Sequence, residues 1–426
     1  MSKKDNMAIV PKYRFPEFVD SWEIKPFKKY IKLYRGSSPR PIKDYITKNE
    51  GINWIKISDA SSNNFYITNV AEQITEEGAK KSRLVEKGEL ILANSMSFGA
   101  TYEVGISGCI YDGWFVLREY ENNFIKKFLL QQLNSYEQQK QYSSLSAGGV
   151  VKNISSDIVY ETILKRPSIK EQQKIADCFS SIDDLISAEE KKLALLNDYK
   201  KGWMQKLFPA EGRNVPEWRF PEFQDSEEWA QKKLDEIGKF IRGFSYSSQD
   251  TTDDRTKLLV IRSNNIVPMG KTDYINNLRY VNKKCSKEQN LVFGDITICM
   301  ANGSSNLIGK SSFYDGEYAG DITVGAFCCI FRSPLPIVRY LFQTNQYNRE
   351  LQRVSQGGDG AIANLKEIDI KNIEFLLPTL TEEQQKIANF LSGIDDLIST
   401  QTDRIEALKQ HKKALMQGLF PVAEEV

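Results

Sequence analysis

A chain of 426 residues is longer than one hydrophobic core usually supports, so two or three domains are expected. Hydrophobic residues at 41% and charged residues at 27% read as a soluble globular protein, and a formal net charge of +1 excludes a uniformly basic nucleic-acid binder, leaving positive surface to local patches. Six cysteines without a CxxC pair, no apolar segment of signal-peptide length after Met1–Asn6 and no apolar run long enough for a bilayer point to a reducing, cytoplasmic location without a membrane partner.

In chain order, the first element is Pro11-Lys-Tyr-Arg-Phe-Pro-Glu-Phe18, which runs on to Trp22. Residues 23–165 then mix short strand-like runs, such as Trp54-Ile-Lys-Ile57 and Glu89-Leu-Ile-Leu92, with a helical stretch from Phe124 to Tyr136, so an α+β domain is expected. Its loops concentrate small polar and amide residues: Asn94, Ser95, Ser97 and Gly99, then the pair Gly148-Gly149 followed by Lys152 and Asn153. Such glycines permit close backbone approach or make plain turns. Arg35 and Lys56 add positive charge. Asn and Gln read adenine, Arg and Lys read guanine, and Ser and Thr serve base or phosphate, so these residues are candidate DNA contacts.

From Pro167 to Pro209 the pattern changes to a long helix carrying Glu171-Gln-Gln-Lys-Ile-Ala176 and Ile182-Asp-Asp-Leu-Ile-Ser187 and ending Leu207-Phe-Pro209. Ile182, Leu196 and Trp203 form one column seven residues apart, with Glu189 among them; Ile186, Leu193 and Leu207 form the other, with Lys200 among them. That is a heptad seam. Its 25 steps from Ile182 to Leu207 measure about 38 Å at roughly 1.5 Å per residue, close to the roughly 34–36 Å of one turn of B-DNA.

The chain then repeats itself. Pro216-Glu-Trp-Arg-Phe-Pro-Glu-Phe223 restates the opening 205 residues later and runs on to Trp229; Glu383-Gln-Gln-Lys-Ile-Ala388, Ile394-Asp-Asp-Leu-Ile-Ser399 and Leu419-Phe-Pro421 restate the helix 212 residues later. The second seam comprises Ile394, Leu408 and Leu415 with Gln401, and Ile398, Ile405 and Leu419 with Lys412. A pseudo-twofold relation would lay the helices antiparallel, crossing near Leu193 and Leu196, with Glu189 set against Lys412. Between these blocks only fragments stay in step: Arg35-Gly36 with Arg242-Gly243, Gly88-Glu-Leu with Gly294-Asp-Ile, and Gly148-Gly149 with Gly357-Gly358. Residues 230–376 again mix strands, such as Asp295-Ile-Thr-Ile298 and the apolar run Ile322 to Phe331, with a helical stretch from Ile337 to Val354. Candidate DNA contacts here are Arg242, Arg262, Asn264 with Asn265, the loop Asn302, Gly303, Ser304, Ser305 and Asn306, and Asn364, which nearly matches Asn153.

Catalytic signatures are missing. Gly303 to Ser311 ends like a phosphate-binding loop but holds five residues between its glycines where four are needed. No Pro-Pro dipeptide of an amino-methyltransferase loop occurs, and acidic-x-Lys triplets such as Glu23-Ile-Lys25 and Asp198-Tyr-Lys200 are expected by chance at this charge content. The lone histidine, His411, falls on the second heptad helix as a solvated residue, which excludes a histidine zinc cluster or triad. Cys178 is expected to pack as a small hydrophobe.

The paired Glu-Gln-Gln-Lys-Ile-Ala helices, each ending in Leu-Phe-Pro, and the Arg-Phe-Pro-Glu-Phe lead-ins resemble the specificity subunits of type I restriction-modification systems over essentially the whole chain. The resemblance implies an α+β fold of two target-recognition domains, 1–165 and 211–377, joined by spacer helices within 166–210 and 378–426 that form an antiparallel coiled coil. Each domain would read one half of an asymmetric bipartite site in double-stranded DNA. The helices would dock two methyltransferase subunits, which bring S-adenosylmethionine and the chemistry, and restriction-translocase subunits would join them; this chain would hold no cofactor or metal and do no catalysis. The other class left open is a duplicated protein-interaction scaffold, which salt-dependent binding to duplex DNA would separate from it.

Overall fold

The computed structural model describes residues 10–60, 65–95, 99–145, 153–302, 307–355 and 363–420. By contacts the chain forms two compact units, Met1–Lys191 with Thr402–Val426, and Lys192–Gln401. Each unit therefore takes one end of each of two 39-residue helices, Ile169–Leu207 and Thr381–Leu419.

In the first unit two five-stranded sheets pack face to face. One has the strand order 32–35, 114–118, 90–93, 101–104, 66–67, and the other 46–47, 72–74, 52–55, 108–110, 83–85. Alternation along the strands explains the layering. Leu90 and Leu92, with Phe115 and Leu117, point into a core shared with helix Lys126–Leu133 and the long helices, while Ile91, Ala93, Trp114 and Val116 point into the core between the sheets. The second unit repeats the plan with two four-stranded sheets, 239–242, 328–332, 296–299, 311–313 and 251–252, 280–281, 258–261, 322–324. Ile296 and Ile298 face its helical core and Cys299 and Ile330 its inter-sheet core. The run Ile322 to Phe331 is not one strand: Gly325–Phe327 breaks it into Ile322–Val324 and Cys328–Arg332, which belong to different sheets. The stretch Phe124 to Tyr136 holds the helix Lys126–Leu133 and ends where a second, Tyr136–Leu145, begins, and the stretch Ile337 to Val354 holds two helices, Val338–Leu341 and Asn345–Ser355.

The repeated sequence blocks meet in space. In the first unit Arg14 donates from Nε and Nη2 to the two carboxylate oxygens of Glu171 at 2.8 and 2.9 Å, and Trp22 Nε1 donates to the same carboxylate at 3.1 Å. In the second, Arg219 donates to both oxygens of Glu383 at 2.7 Å and Trp229 Nε1 donates at 3.3 Å. Around each fork Lys174 pairs with Glu17 and Lys386 with Glu222. The next residues secure the helix start: the Gln172 amide donates to the Pro167 carbonyl at 3.1 Å and the Gln384 amide to that of Pro378 at 2.8 Å. Each lead-in also joins the end of a long helix, Tyr13 N–H donating to the Gly418 carbonyl and Trp218 N–H to that of Lys206. Phe420 stacks on Phe179 in one unit, and Trp203 meets Phe390 edge-on in the other.

Along the helices no seam position is solvent-exposed. Ile186, Leu207, Ile394, Ile405 and Leu419 are buried, and Ile182, Leu193, Leu196, Trp203, Ile398, Leu408 and Leu415 are half-buried, while His411 is exposed. Within each unit the helical segments run antiparallel. Their register corrects the expected Glu189–Lys412 pair: Lys412 donates to Asp183 at 2.6 Å, and Glu189 takes Arg404 at 2.8 Å. The register thus brings Lys412 six residues nearer the start of the first helix, onto the repeated Ile-Asp-Asp motif. The second unit makes the equivalent pair, Lys200 with Asp395 at 2.7 Å. Lys412→Glu alone is expected to lower stability by at most about 1 kcal/mol, since the pair is partly solvated. Adding Asp183→Lys should restore most of the loss in urea denaturation, and adding Glu189→Lys should not.

Candidate nucleic-acid interface

In each unit the variable loops converge on one frame. A strand of the sheet nearer the helices ends in arginine, Arg35 or Arg242. Glycine follows because the backbone there approaches a neighbouring turn: a Cβ on Gly36 would lie 2.0 Å from the Tyr111 carbonyl oxygen, and one on Gly243 2.1 Å from that of Gly325. Alanine at Gly243 is expected to force these strands apart at a cost of about 1–3 kcal/mol, measurable as a lower urea midpoint. Beside the arginine two short segments pair antiparallel, Ser95 with Asn153 in the first unit and Ala301–Asn302 with Ala363–Asn364 in the second.

In the first unit the frame is tied to the turn Tyr111-Asp112-Gly113. The Asp112 carbonyl accepts from Arg35 Nε at 3.2 Å and from the Asn94 amide at 2.9 Å, and its carboxylate accepts from Ser38 Oγ at 2.5 Å, with Arg40 at 3.8 Å. The Ser38 hydroxyl holds the Asp112 carboxyl below its ordinary pKa, so it carries its charge throughout the neutral range. A cleft of about 380 Å³ opens here, lined by Arg35, Asn94, Asn153, Ser155 and Tyr160 among others. The structure therefore brings Arg35, Asn94, Ser95 and Asn153 together. Asn94 is 5% exposed and its amide is committed to the turn, whereas Asn153 is exposed. Lys56 stands apart, paired with Glu72 at 2.7 Å in a neighbouring cleft of about 790 Å³ that Arg40, Trp54, Tyr111 and Asp112 also line.

In the second unit the Arg242 side chain is 87% exposed and its Nε donates to Glu367 at 3.0 Å, a contact that lowers the pKa of that carboxyl. Asn302 lies on the paired segment, its amide 4.0 Å from Cys299 Sγ, and the Asn364 backbone pairs opposite Ala301. Arg262 and Asn264 follow strand Leu258–Ile261 of the other sheet, at the position that Lys56 holds in the first unit. Arg262 Nη2 donates to the Asn277 carbonyl at 2.8 Å, and Asn264 is exposed. Asn265 is 1% exposed and caps the turn, accepting from Arg262 N–H at 3.2 Å and donating to the Asn276 carbonyl at 2.7 Å, so its amide is spent on the fold. Ser97, Lys152, Ser304, Ser305 and Asn306 lie outside the described residues, as do Gly148-Gly149 and Gly357-Gly358. Sequence reasoning missed Asp112, Ser38, Arg40 and Glu367. The Asp112-Gly113 dipeptide between two apolar runs is a turn signal that marks the first of them.

Among known proteins, the family model described as the type I restriction modification DNA specificity domain matches the chain twice, over residues 20–198 and 226–410. The putative type I restriction enzyme MjaX specificity subunit of Methanocaldococcus jannaschii is 24% identical over 442 residues, covering 95% of this chain and 94% of its own length. The EcoKI specificity subunit of Escherichia coli is 27% identical over 204 residues, 45% of this chain and 42% of its own. The solved S subunit of a type I restriction-modification system from M. genitalium has the same fold, with a TM-score of 0.57 at 15% identity, over 98% of this chain and 100% of that one.

Proposed function

The chain belongs to the type I restriction-modification DNA specificity family, and from that premise we propose that it reads a bipartite, asymmetric DNA site and directs methyltransferase and restriction subunits to it. The observation that carries this reading is the duplicated frame with unlike contents. Arginine, close-approach glycine and paired segments, with Asn153 and Asn364 at matching places, recur in both units, yet around them stand Asp112 and Ser38 in one and Glu367, Asn302 and an apolar turn in the other. Equal frames with unlike groups suit two half-sites of unlike sequence.

In this reading Arg35, Asn153, Arg242 and Asn302 meet base edges or phosphates, and the long helices act as the spacer. The chain itself performs no chemistry. S-adenosylmethionine belongs to two methyltransferase subunits, and restriction-translocase subunits complete the assembly. A cytoplasmic setting fits this role, and among the described residues no helix is long and apolar enough to cross a membrane.

The test combines the purified chain with its cognate methyltransferase and S-adenosylmethionine on genomic DNA, and maps methylated adenines by single-molecule sequencing. Methylation at one split motif with a fixed gap is the expected result. No methylation, with the same methyltransferase active beside another specificity subunit, would move the assignment to a protein-interaction scaffold.

A further inference from the structure

The two units build the same turn beside their arginines from inverted sequences. In the first it is Tyr111-Asp112-Gly113, in the second Gly325-Ala326-Phe327, and matching backbone bonds fix the correspondence. Asn94 N–H donates to the Gly113 carbonyl at 2.9 Å, and Met300 N–H donates to the Phe327 carbonyl at 2.8 Å. In the first unit the aromatic residue comes first and folds back. The Tyr111 ring lies against Trp54, 6.4 Å between centroids, and covers Gly113, where a Cβ would meet it at 2.2 Å. In the second unit the aromatic residue comes last and faces outward, Phe327 being 72% exposed.

The outward phenylalanine is held firmly. Its carbonyl also accepts from Ala301 N–H at 3.1 Å, Cys328 N–H closes the turn onto the Gly325 carbonyl at 2.8 Å, and Gly243 N–H donates to the Cys328 carbonyl at 3.1 Å. These bonds put the Phe327 backbone beside the strand end Arg242-Gly243 and the segment Ala301–Asn302. Folding does not demand a large side chain there, because the first unit closes the same turn with glycine. An apolar ring kept in water on a frame that also carries a cation and an amide suits a ligand with an apolar feature among polar ones. The major-groove edge of an A·T pair is such a surface, since thymine presents a methyl group beside hydrogen-bonding atoms and phosphates.

Resting on the DNA-reading function proposed above, we infer that Phe327 is a specificity-determining residue of the second unit, packing on the C5-methyl group of a thymine in its half-site. At the matching place in the turn of the first unit stands Gly113, which offers no ring.

The test uses the complete methyltransferase complex and duplexes bearing the mapped motif, in which each thymine of both half-sites is replaced in turn by deoxyuridine, deleting only the methyl group. Binding is followed by fluorescence anisotropy. With the unaltered chain, uracil at one position of one half-site is expected to weaken binding about fourfold, the factor for one buried methyl. Phe327→Ala should weaken binding to the thymine duplex by a similar factor and be indifferent to uracil at that position, and Phe327→Leu should keep part of the sensitivity. The proposal is overturned if Phe327→Ala binds the thymine duplex as the unaltered chain does, or stays equally sensitive to uracil. Failure of the unaltered complex to prefer its motif over other duplexes would instead overturn the DNA-reading function itself. At 72% exposure Phe327 does not hold the fold, and an unchanged urea midpoint for Phe327→Ala checks this.

Discussion

Replacing Arg219 by alanine is expected to destabilise the second unit by about 3–5 kcal/mol, the cost of leaving a buried carboxylate without its cation. The Glu383 side chain is 1% exposed and that of Arg219 9%, so water does not replace the lost fork. Trp229 would still donate one hydrogen bond, from 3.3 Å, but it brings no charge. Arg219→Lys should recover only part of the loss, because an ammonium cannot span both oxygens as the planar guanidinium does. Adding Glu383→Gln to Arg219→Ala should recover more, since it removes the unpaired charge. Arg14→Ala is expected to act on the first unit in the same sense, its Glu171 side chain being 3% exposed. Tryptophan fluorescence in urea follows both units through Trp22 and Trp229, which touch the two carboxylates. A loss below about 1 kcal/mol for Arg219→Ala would mean that the fork is not what joins lead-in to helix.

These forks mark what the sequence does and does not disclose. The repeated Arg-Phe-Pro-Glu-Phe and Glu-Gln-Gln-Lys-Ile-Ala blocks are plain as text, and the heptad period announces the long helices. That Arg14 meets Glu171 across 157 residues is not written in either block, because a contact depends on the sheets that fold between them. The helix register differs by six residues from the one the apolar columns suggest, since those columns alone tolerate a slip and the choice is made by where a lysine finds a carboxylate. Residue type alone does not tell which amides are free to meet a base. Asn94 and Asn265 have the amides for adenine, but both are buried and spend them on backbone carbonyls. Phe327 was hidden for the opposite reason, as an apolar residue inside an apolar run, and only the change of sheet at Gly325 exposes it.

Substituting Leu185 and Leu397 together by arginine is expected to abolish methylation while leaving the fold intact. Leu185 is 41% and Leu397 57% exposed, and they hold matching places in the repeated Ile-Asp-Asp-Leu-Ile-Ser segments. Neither belongs to the seam, so its packing does not explain why both copies keep a leucine in water. Other exposed residues are also kept identical between the two helices, Asp184 with Asp396, Lys201 with Lys413 and Gln205 with Gln417. A surface written twice in one chain suits two copies of one partner, the arrangement proposed for the methyltransferase. An arginine in the centre of such an apolar contact is left desolvated and unpaired, which costs enough to remove the partner. Native mass spectrometry of the assembled complex should find two methyltransferase subunits on the unaltered chain, one on Leu185→Arg or Leu397→Arg, and none on the double variant. Two subunits retained on the double variant, with unchanged methylation, would place the docking surface elsewhere on the helices.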